Sequence, residues 1–328
     1  MLNEFDIIRT CFDQPGLAAL TDAVIRQGIG DDCALLSIPA GKELAFSMDT
    51  LVAGVHFPGS ANPIDIGWRA LAVNLSDLAA TGAMPLAFTL GLTLPDNDEQ
   101  WLQTFAEGLK QPAQEFGCYL VGGDLTRGPL AITIQVHGLV DKGKAIGRGG
   151  ARPGDLIYVT GTLGRAGAAL ALLDNDAAMA GQDGRESLLQ AYYRPVPRII
   201  AARALKGFVS AGIDISDGLV ADLGHICQRS GCGARVNAAE VPVDPLVTTM
   251  LGKKQGLTAT LGAGDDYELI LTVPRENEED FREAEEKLPE LLTCIGEITA
   301  GNEIICEDEH GEPMAVAAAG YNHFSEPS

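Results

Sequence analysis

In residues 130–140 apolar and polar side chains alternate, with Ile132, Ile134 and Val136 separated by Thr133, Gln135 and His137. A period of two sorts the two sets onto opposite faces of a pleated chain, so the segment predicts a half-buried strand. Residues 43–48 and 86–94 also read as strands. Between them, Trp68, Leu71, Leu75 and Leu78 form one stripe at helical spacing over 63–80, behind an Asn62-Pro63 pair that supplies an N-cap and a proline at the first helical position. A second helix is expected over 98–116. The Gly- and Pro-rich run 143–154 breaks the pattern and marks a domain junction, giving residues 1–148 and 149–328. Beyond it the pattern predicts a strand at 155–160, helices at 164–173 and 196–210, a strand at 212–215, a helix at 218–230, a strand at 267–273 and a last helix near 275–287. The stretch 174–184 reads as loop. Acidic positions over 276–286 read as a solvated helix face. Because strands and helices mix in both halves, the fold class is α/β or α+β, in two layered domains.

Length agrees with two domains, since 328 residues is about twice a typical one. Charge adds more. Lys and Arg number 23 against 45 Asp and Glu, a net charge of −22, and that field repels nucleic acid and anionic membrane surfaces alike. An enzyme of this charge that handled polyphosphate would need cations between its carboxylates and its substrate. Seven cysteines, with no CxxC and no Cys/His zinc spacing, point to a reducing compartment without a disulfide framework. The first residues, Met-Leu-Asn-Glu-Phe-Asp, form neither a basic nor an apolar leader region, and no apolar run reaches membrane-spanning length, so a cytoplasmic location is expected.

Six short segments set aspartate beside Gly, Ser or Thr: Gly28-Ile-Gly-Asp-Asp32, Ser47-Met-Asp-Thr50, Asn74-Leu-Ser-Asp77, Gly122-Gly-Asp124, Asp214-Ile-Ser-Asp-Gly218 and Gly264-Asp-Asp-Tyr-Glu268. Loop-borne carboxylates in this number suit hard cations such as Mg²⁺, which shares its coordination with water and substrate phosphates. Asp49 at a strand end, Asp77 inside a helix and Asp124 after the strand-like Cys118–Val121 can converge. Asn74 and Asp77 either face such a centre or lie on the wet side of their helix. Gly28–Asp32 by itself is a weak signal, since a Gly-Asp turn before a strand is common. Asp214–Gly218 reads as strand, turn and helix N-terminus, where backbone N–H groups suit a phosphate or a metal-bound water, or where Ser216 and Asp217 act as ordinary caps. His56 fits either a phosphate contact or a structural role. The chain has no GxxxxGK[ST] and no protein-kinase set, and no covalent nucleophile stands out.

Taken in order, longer strings resemble the thiamine-monophosphate kinase family of the AIR-synthetase-like ATP-binding superfamily. They are Gly28-Ile-Gly-Asp-Asp-Cys-Ala-Leu-Leu36, Asp49-Thr-Leu-Val-Ala-Gly-Val-His-Phe57, Ala72-Val-Asn-Leu-Ser-Asp-Leu-Ala-Ala-Thr-Gly-Ala83, Gly122-Gly-Asp-Leu-Thr-Arg-Gly-Pro129, Ile215-Ser-Asp-Gly-Leu219, Asp222-Leu-Gly-His-Ile226 and Gly320-Tyr-Asn-His-Phe324. The resemblance implies an N-terminal domain that binds ATP and Mg²⁺ and forms a homodimer, and a C-terminal domain that helps close the site. It implies direct in-line transfer of a phosphoryl group from ATP to thiamine monophosphate, the last step of thiamine diphosphate biosynthesis. It places several Mg²⁺ ions on Asp32, Ser47, the Met48 carbonyl, Asp49, Asp77, Asp124, Asp214 and Asp217. ATP would meet Gly123, Asp124, Arg148 and Ser216, and thiamine monophosphate His56, Asp265 and Tyr321. Two positions depart from the family pattern: Asp265 stands where Glu is usual, one methylene shorter, and Met48 where Thr is usual.

Other members of the superfamily, selenophosphate synthetase and AIR synthetase, are the alternative readings. Against the first, Cys11 sits in a helical Arg-Thr-Cys-Phe context rather than before a glycine-rich loop. A non-enzymatic calcium-binding module is a third, but no EF-hand or RTX-type repeat is present.

Overall fold

The computed structural model describes residues 3–174 and 184–316. The chain divides into two units, one of Met1–Leu78 and Gly82–Ala145, the other of Ala79–Thr81 and Ile146–Ser328.

The first unit opens with a short helix α1 (Glu4–Ile7) and a hairpin of β1 (Ile25–Gln27) and β2 (Leu35–Leu36). Then come β3 (Lys42–Val52), α2 (Pro63–Thr81), β4 (Met84–Leu94), α3 (Glu99–Phe116), β5 (Tyr119–Arg127) and β6 (Ala131–Asp141). The four longer strands form one sheet in the order β3-β6-β4-β5. β4 and β5 run parallel, which requires the crossover that α3 provides. The alternation in β6 is realised: Ile132, Ile134 and Val136 are buried, while Thr133, Gln135 and His137 are partly exposed. At the start of α2, the Asn62 side chain accepts the N–H of Ile64 at 3.2 Å. Asp98 caps α3 by accepting from Gln100 and Trp101 N–H at 2.9 and 3.2 Å, and Gly117 ends it in the left-handed region at φ 68°. The two helices cross backbone to backbone, since a Cβ on Gly67 would meet the Phe105 carbonyl and one on Gly108 the Ile64 carbonyl.

Two strands are longer than their side chains suggest. β3 continues past residue 48 to Val52, so Asp49 lies within a strand and not at its end. β5 continues past 121 to Arg127, so Asp124 lies inside it and not after it. The β5 addition is polar and glycine-rich and the β3 addition opens on Asp49-Thr50, and what holds them is backbone pairing, Asp49 opposite Ile134 and Asp124 opposite Gly91. Ladder bonds form irrespective of side-chain polarity, so no alternation announces them.

The second unit contains β7 (Leu156–Thr160), α4 (Arg165–Asp174), α5 (Arg185–Tyr193), α6 (Ile199–Leu205), β8 (Ala211–Asp214), α7 (Leu219–Ser230), β9 (Gly233–Asn237), α8 (Pro245–Leu251), α9 (Lys253–Gly262), β10 (Leu269–Val273), α10 (Glu278–Glu285), β11 (Leu292–Thr299), β12 (Ile304–Glu307) and β13 (Pro313–Met314). Among the described residues its sheet has seven strands, ordered β13-β12-β9-β11-β7-β10-β8. Every residue of β7, β8 and β10 is buried, around a core that includes Ile157, Val159, Ile213, Leu223, Ile226 and Ile270. The helix expected over 196–210 shrinks to α6, bounded by Pro195 and Pro197 before it and Gly207 after it. A 3₁₀ turn at Arg275–Asn277 precedes α10, shortening the last expected helix. Of the stretch expected to be loop, 175–183 lies outside the described residues.

Candidate active site

In the first unit the chemistry gathers where α2 lies against β3. Strand alternation puts the side chains of Ser47 and Asp49 on one face and that of Met48, 59% exposed, on the other. Ser47 Oγ donates to Asp77 Oδ2 at 2.6 Å. One helical turn earlier, Asn74 accepts the Asp49 N–H on Oδ1 at 3.0 Å and donates from Nδ2 to the Ala70 carbonyl at 2.9 Å. Asn74 is 1% exposed and Asp77 partly buried, which overturns the wet-side alternative. Burying these polar groups on an otherwise apolar helix is tolerable because each has a partner across the α2–β3 seam.

Asp124 is exposed on β5, beside Gly123. The backbone there runs tight against β4, because a Cβ on residue 123 would strike the Leu90 carbonyl. Asp32 is exposed on the loop joining β1 and β2. That hairpin packs through Ile25, Ala34 and Leu36 against Ala87 and Val121, which sets the loop beside β5. His56 sits in the turn after β3, where its Nδ1 accepts the Val52 N–H at 3.0 Å. With Nδ1 an acceptor, the ring proton of neutral His56 resides on Nε2, the nitrogen able to donate to a ligand.

In the second unit β8 delivers Asp214, and the chain turns through Ile215–Gly218 into α7. The Ser216, Asp217 and Gly218 N–H groups all donate to one oxygen of Asp222, at 3.0, 3.0 and 3.1 Å. The amides expected to receive a phosphate are therefore occupied by a carboxylate of the same helix. Burial pushes the Asp222 carboxyl up to about 6, against the pull of those N–H bonds. One carboxylate oxygen each of Asp217 and Asp222 and a ring nitrogen of His225 lie within 4.8 Å of one another.

The segment Gly264–Glu268 runs beside this turn. Asp265 N–H donates to the Ser216 carbonyl at 2.9 Å, Tyr267 N–H to the Ile215 carbonyl at 2.8 Å, and Ile215 N–H to the Glu268 carbonyl at 2.8 Å. Asp265 and Tyr267 both have positive φ, 69° and 50°, a costly conformation for side chains of their size. Tyr267 Oη donates to Asp265 Oδ1 at 3.0 Å. Glu268 fixes the end of the segment: its carboxylate takes a two-pronged contact from Arg198, Nε at 2.6 Å and Nη2 at 2.5 Å, and a hydrogen bond from Thr160 Oγ1 at 2.6 Å. Burial raises the Glu268 carboxyl, and Arg198 and then Thr160 oppose it. Asp266 accepts the Gly164 N–H at 2.8 Å, yet burial, with the Glu268 charge added, pushes its carboxyl up to about 8.

Of the residues expected at the site, Ser47, Asp49 and Asp77 come together with Asn74. Asp32, Gly123, Asp124 and His56 belong to the same unit. Asp214, Ser216, Asp217 and Asp265 lie in the second unit, on two segments bonded to each other. Arg148 is exposed ahead of β7, and its carbonyl accepts from Ser230 Oγ at 3.4 Å. Tyr321 lies outside the described residues. Sequence reasoning assigned no part to Arg198 or Thr160, whose partner is distant in the chain. For Asp222 a signal existed, an acidic residue in the first turn of a helix that follows a Ser-Asp-Gly turn.

Family models agree with this division. One described as AIR synthase related protein, N-terminal domain, matches residues 30–140, and its C-terminal counterpart matches 152–309. The thiamine-monophosphate kinase of Escherichia coli K12 is 45% identical over 99% of both chains. The chain belongs to the thiamine-monophosphate kinase family. Among solved structures, thiamine-monophosphate kinase from Stenotrophomonas maltophilia K279a is 42% identical with a TM-score of 0.83, covering 89% of this chain and 93% of that one. AaThiL complexed with AMPPCP and TMP is 31% identical with a TM-score of 0.77, covering 88% and 89%. The Met48 side chain points away from Ser47 and Asp49, so any part it plays with them is through the backbone.

Proposed function

We propose that the protein transfers the terminal phosphoryl group of ATP to thiamine monophosphate, giving thiamine diphosphate and ADP. The observation that carries this is the end-to-end similarity to thiamine-monophosphate kinases, supported by the AaThiL complex with AMPPCP and TMP. The acceptor is itself a phosphate whose second pKa is near 6, so it is largely dianionic at neutral pH and needs little help from a base. Transfer in line between two phosphate oxygens demands positioning and charge neutralisation rather than a covalent intermediate.

Mg²⁺ is the cation we assign. The donor set fits it: Asp32, Ser47, Asp49, Asp77 and Asp124 in one unit and Asp214 and Asp217 in the other offer hard oxygen atoms, with the Met48 carbonyl as a further one. Bound there, Mg²⁺ ions would neutralise the oxygens of the transferring phosphoryl group. Gly123, Asp124, Arg148 and Ser216 are assigned to ATP. His56 would donate from Nε2 to the substrate phosphate, and the Asp265 carboxylate suits the cationic thiazolium ring, with Tyr321 as its aromatic companion. Residues 1–148 are assigned as the metal-binding and dimerising domain and 149–328 as its partner domain.

The homodimer is supported by β3, an edge strand of its sheet that presents Leu44, Phe46 and Met48 on one face at 38, 63 and 59% exposure. A row of exposed apolar side chains on a sheet is a self-complementary surface for a two-fold partner. Phe46→Asp is expected to give a monomer by light scattering, and an unchanged mass would exclude this face. A cytoplasmic location accords with seven free cysteines. Among the described residues no helix is long and apolar enough to cross a membrane.

The reaction is tested by mass spectrometry of products from ATP, Mg²⁺ and thiamine monophosphate, with thiamine, selenide and the AIR precursor as control acceptors. Thiamine diphosphate is expected from the first mixture alone. Turnover of selenide or of the AIR precursor in its place would move the protein elsewhere in the superfamily.

A further inference from the structure

We propose that Asp222 is a positioning residue for the kinase reaction, holding the Ser216–Gly218 turn in the conformation that presents Ser216 and Asp217 to MgATP. The proposal rests on the assignment of those two side chains to ATP and metal.

The backbone of this turn is committed on every side. Asp222, 2% exposed, takes the N–H groups of residues 216, 217 and 218 on a single oxygen. The Ile215 and Ser216 carbonyls accept from Tyr267 and Asp265, and the Ile215 N–H reaches the Glu268 carbonyl. Gly218, at φ 124°, passes so close to α9 that a Cβ would lie 2.7 Å from the Gly262 carbonyl. What the turn keeps to offer is the pair of side chains on Ser216 and Asp217, both partly exposed. Three N–H groups in one short turn would otherwise point into solvent or toward phosphate. Without the internal carboxylate those three amides lose their acceptor and the turn keeps only its bonds to the 265–268 segment; with it, a bound anion would have to compete for the same amides.

Steady-state kinetics of Asp222→Ala and Asp222→Asn, varying MgATP and thiamine monophosphate separately, test the proposal alongside thermal melting. Supporting partners of metal ligands typically matter at about the tenfold level or more, so Asp222→Ala is expected to raise KM for MgATP about tenfold while KM for thiamine monophosphate moves less than about twofold. Asp222→Asn keeps one oxygen able to accept the three N–H bonds and is expected to recover part of the loss. A folded Asp222→Ala protein with the wild-type KM for MgATP overturns the proposal. So does a fall in kcat alone that matches a reduced folded fraction, which is what a purely structural role gives. Should the alanine variant not fold, the asparagine variant decides: a raised KM for MgATP supports the positioning role and an unchanged one overturns it. Ser216→Ala and Asp217→Asn, measured in parallel, separate the two layers. If neither disturbs MgATP, the assignment of those side chains fails and the positioning role with it. If they do and neither Asp222 variant does, the positioning role alone fails.

Discussion

Asp77 and Asp222 are both aspartates on helices beside a strand, and they have opposite fates. Asp77 receives a hydroxyl from Ser47 across the α2–β3 seam and is partly exposed. Asp222 is sealed, one oxygen saturated by three amides of its own turn. Glu268 resembles Asp222 in being satisfied internally, by Arg198 and Thr160. In a chain of net charge −22, counting carboxylates near a site therefore overestimates the ligands. The useful distinction is how much acceptor capacity the fold has already consumed, since a carboxylate has about four lone-pair sites to satisfy.

That contrast can be broken most directly at Asp77. On the proposed assignment of Asp77 to Mg²⁺, Asp77→Asn is expected to lower kcat/KM by at least about a hundredfold, through loss of a charge that would serve the transferring phosphoryl group. Initial rates at saturating Mg²⁺ measure it, and wild-type kcat there would place Asp77 with the internally satisfied group. Next in size, Arg198→Met should destabilise the protein by about 3 kcal/mol in chemical denaturation, since it strands Glu268 in a buried position. Adding Glu268→Gln to the same chain should restore much of that loss; no restoration would mean that the pair matters for reasons other than charge burial. Ser47→Ala removes one donor to Asp77 and is expected to shift the Mg²⁺ concentration giving half-maximal rate by up to about tenfold, with little change in melting temperature. A large drop in melting with no Mg²⁺ shift would make the Ser47–Asp77 bond structural.

The smallest effect concerns Asp266. Its folded carboxyl is raised from 3.8 to about 8, so between those pH values the folded protein holds a proton that the unfolded chain releases. Stability from this residue is thus fully present below the lower value and is lost as pH rises through the upper one. Asp266→Asn should flatten the pH dependence of denaturation over that window, and an identical slope in both proteins would show that Asp266 is charged when folded.

Much of the first unit could be read from side chains. The Asn62-Pro63 start of α2, the Asp98 cap of α3 and the alternation in β6 are local signals backed by local physics, and they appear where expected. Less of the second unit was legible. β9 and β11 each carry a glycine, β12 and β13 are too short to show a period, and all four become strands because a neighbour offers backbone partners, while α5, α8 and α9 are short. The ends of β3 and β5, held by backbone pairing, belong to the same class, and these are the parts that hold Asp49 and Asp124.

The sequence by itself determined the family, because the aspartate-bearing strings recur in order along nearly the whole chain, and its acidity raised the expectation of a cation at the site. Tertiary structure decided which partners each carboxylate meets. Whether Asp77 meets a serine hydroxyl, Glu268 an arginine, or Asp222 three amides depends on groups brought together by packing, many of them distant in the chain. Availability is set by those partners, and a residue's own identity carries no record of them.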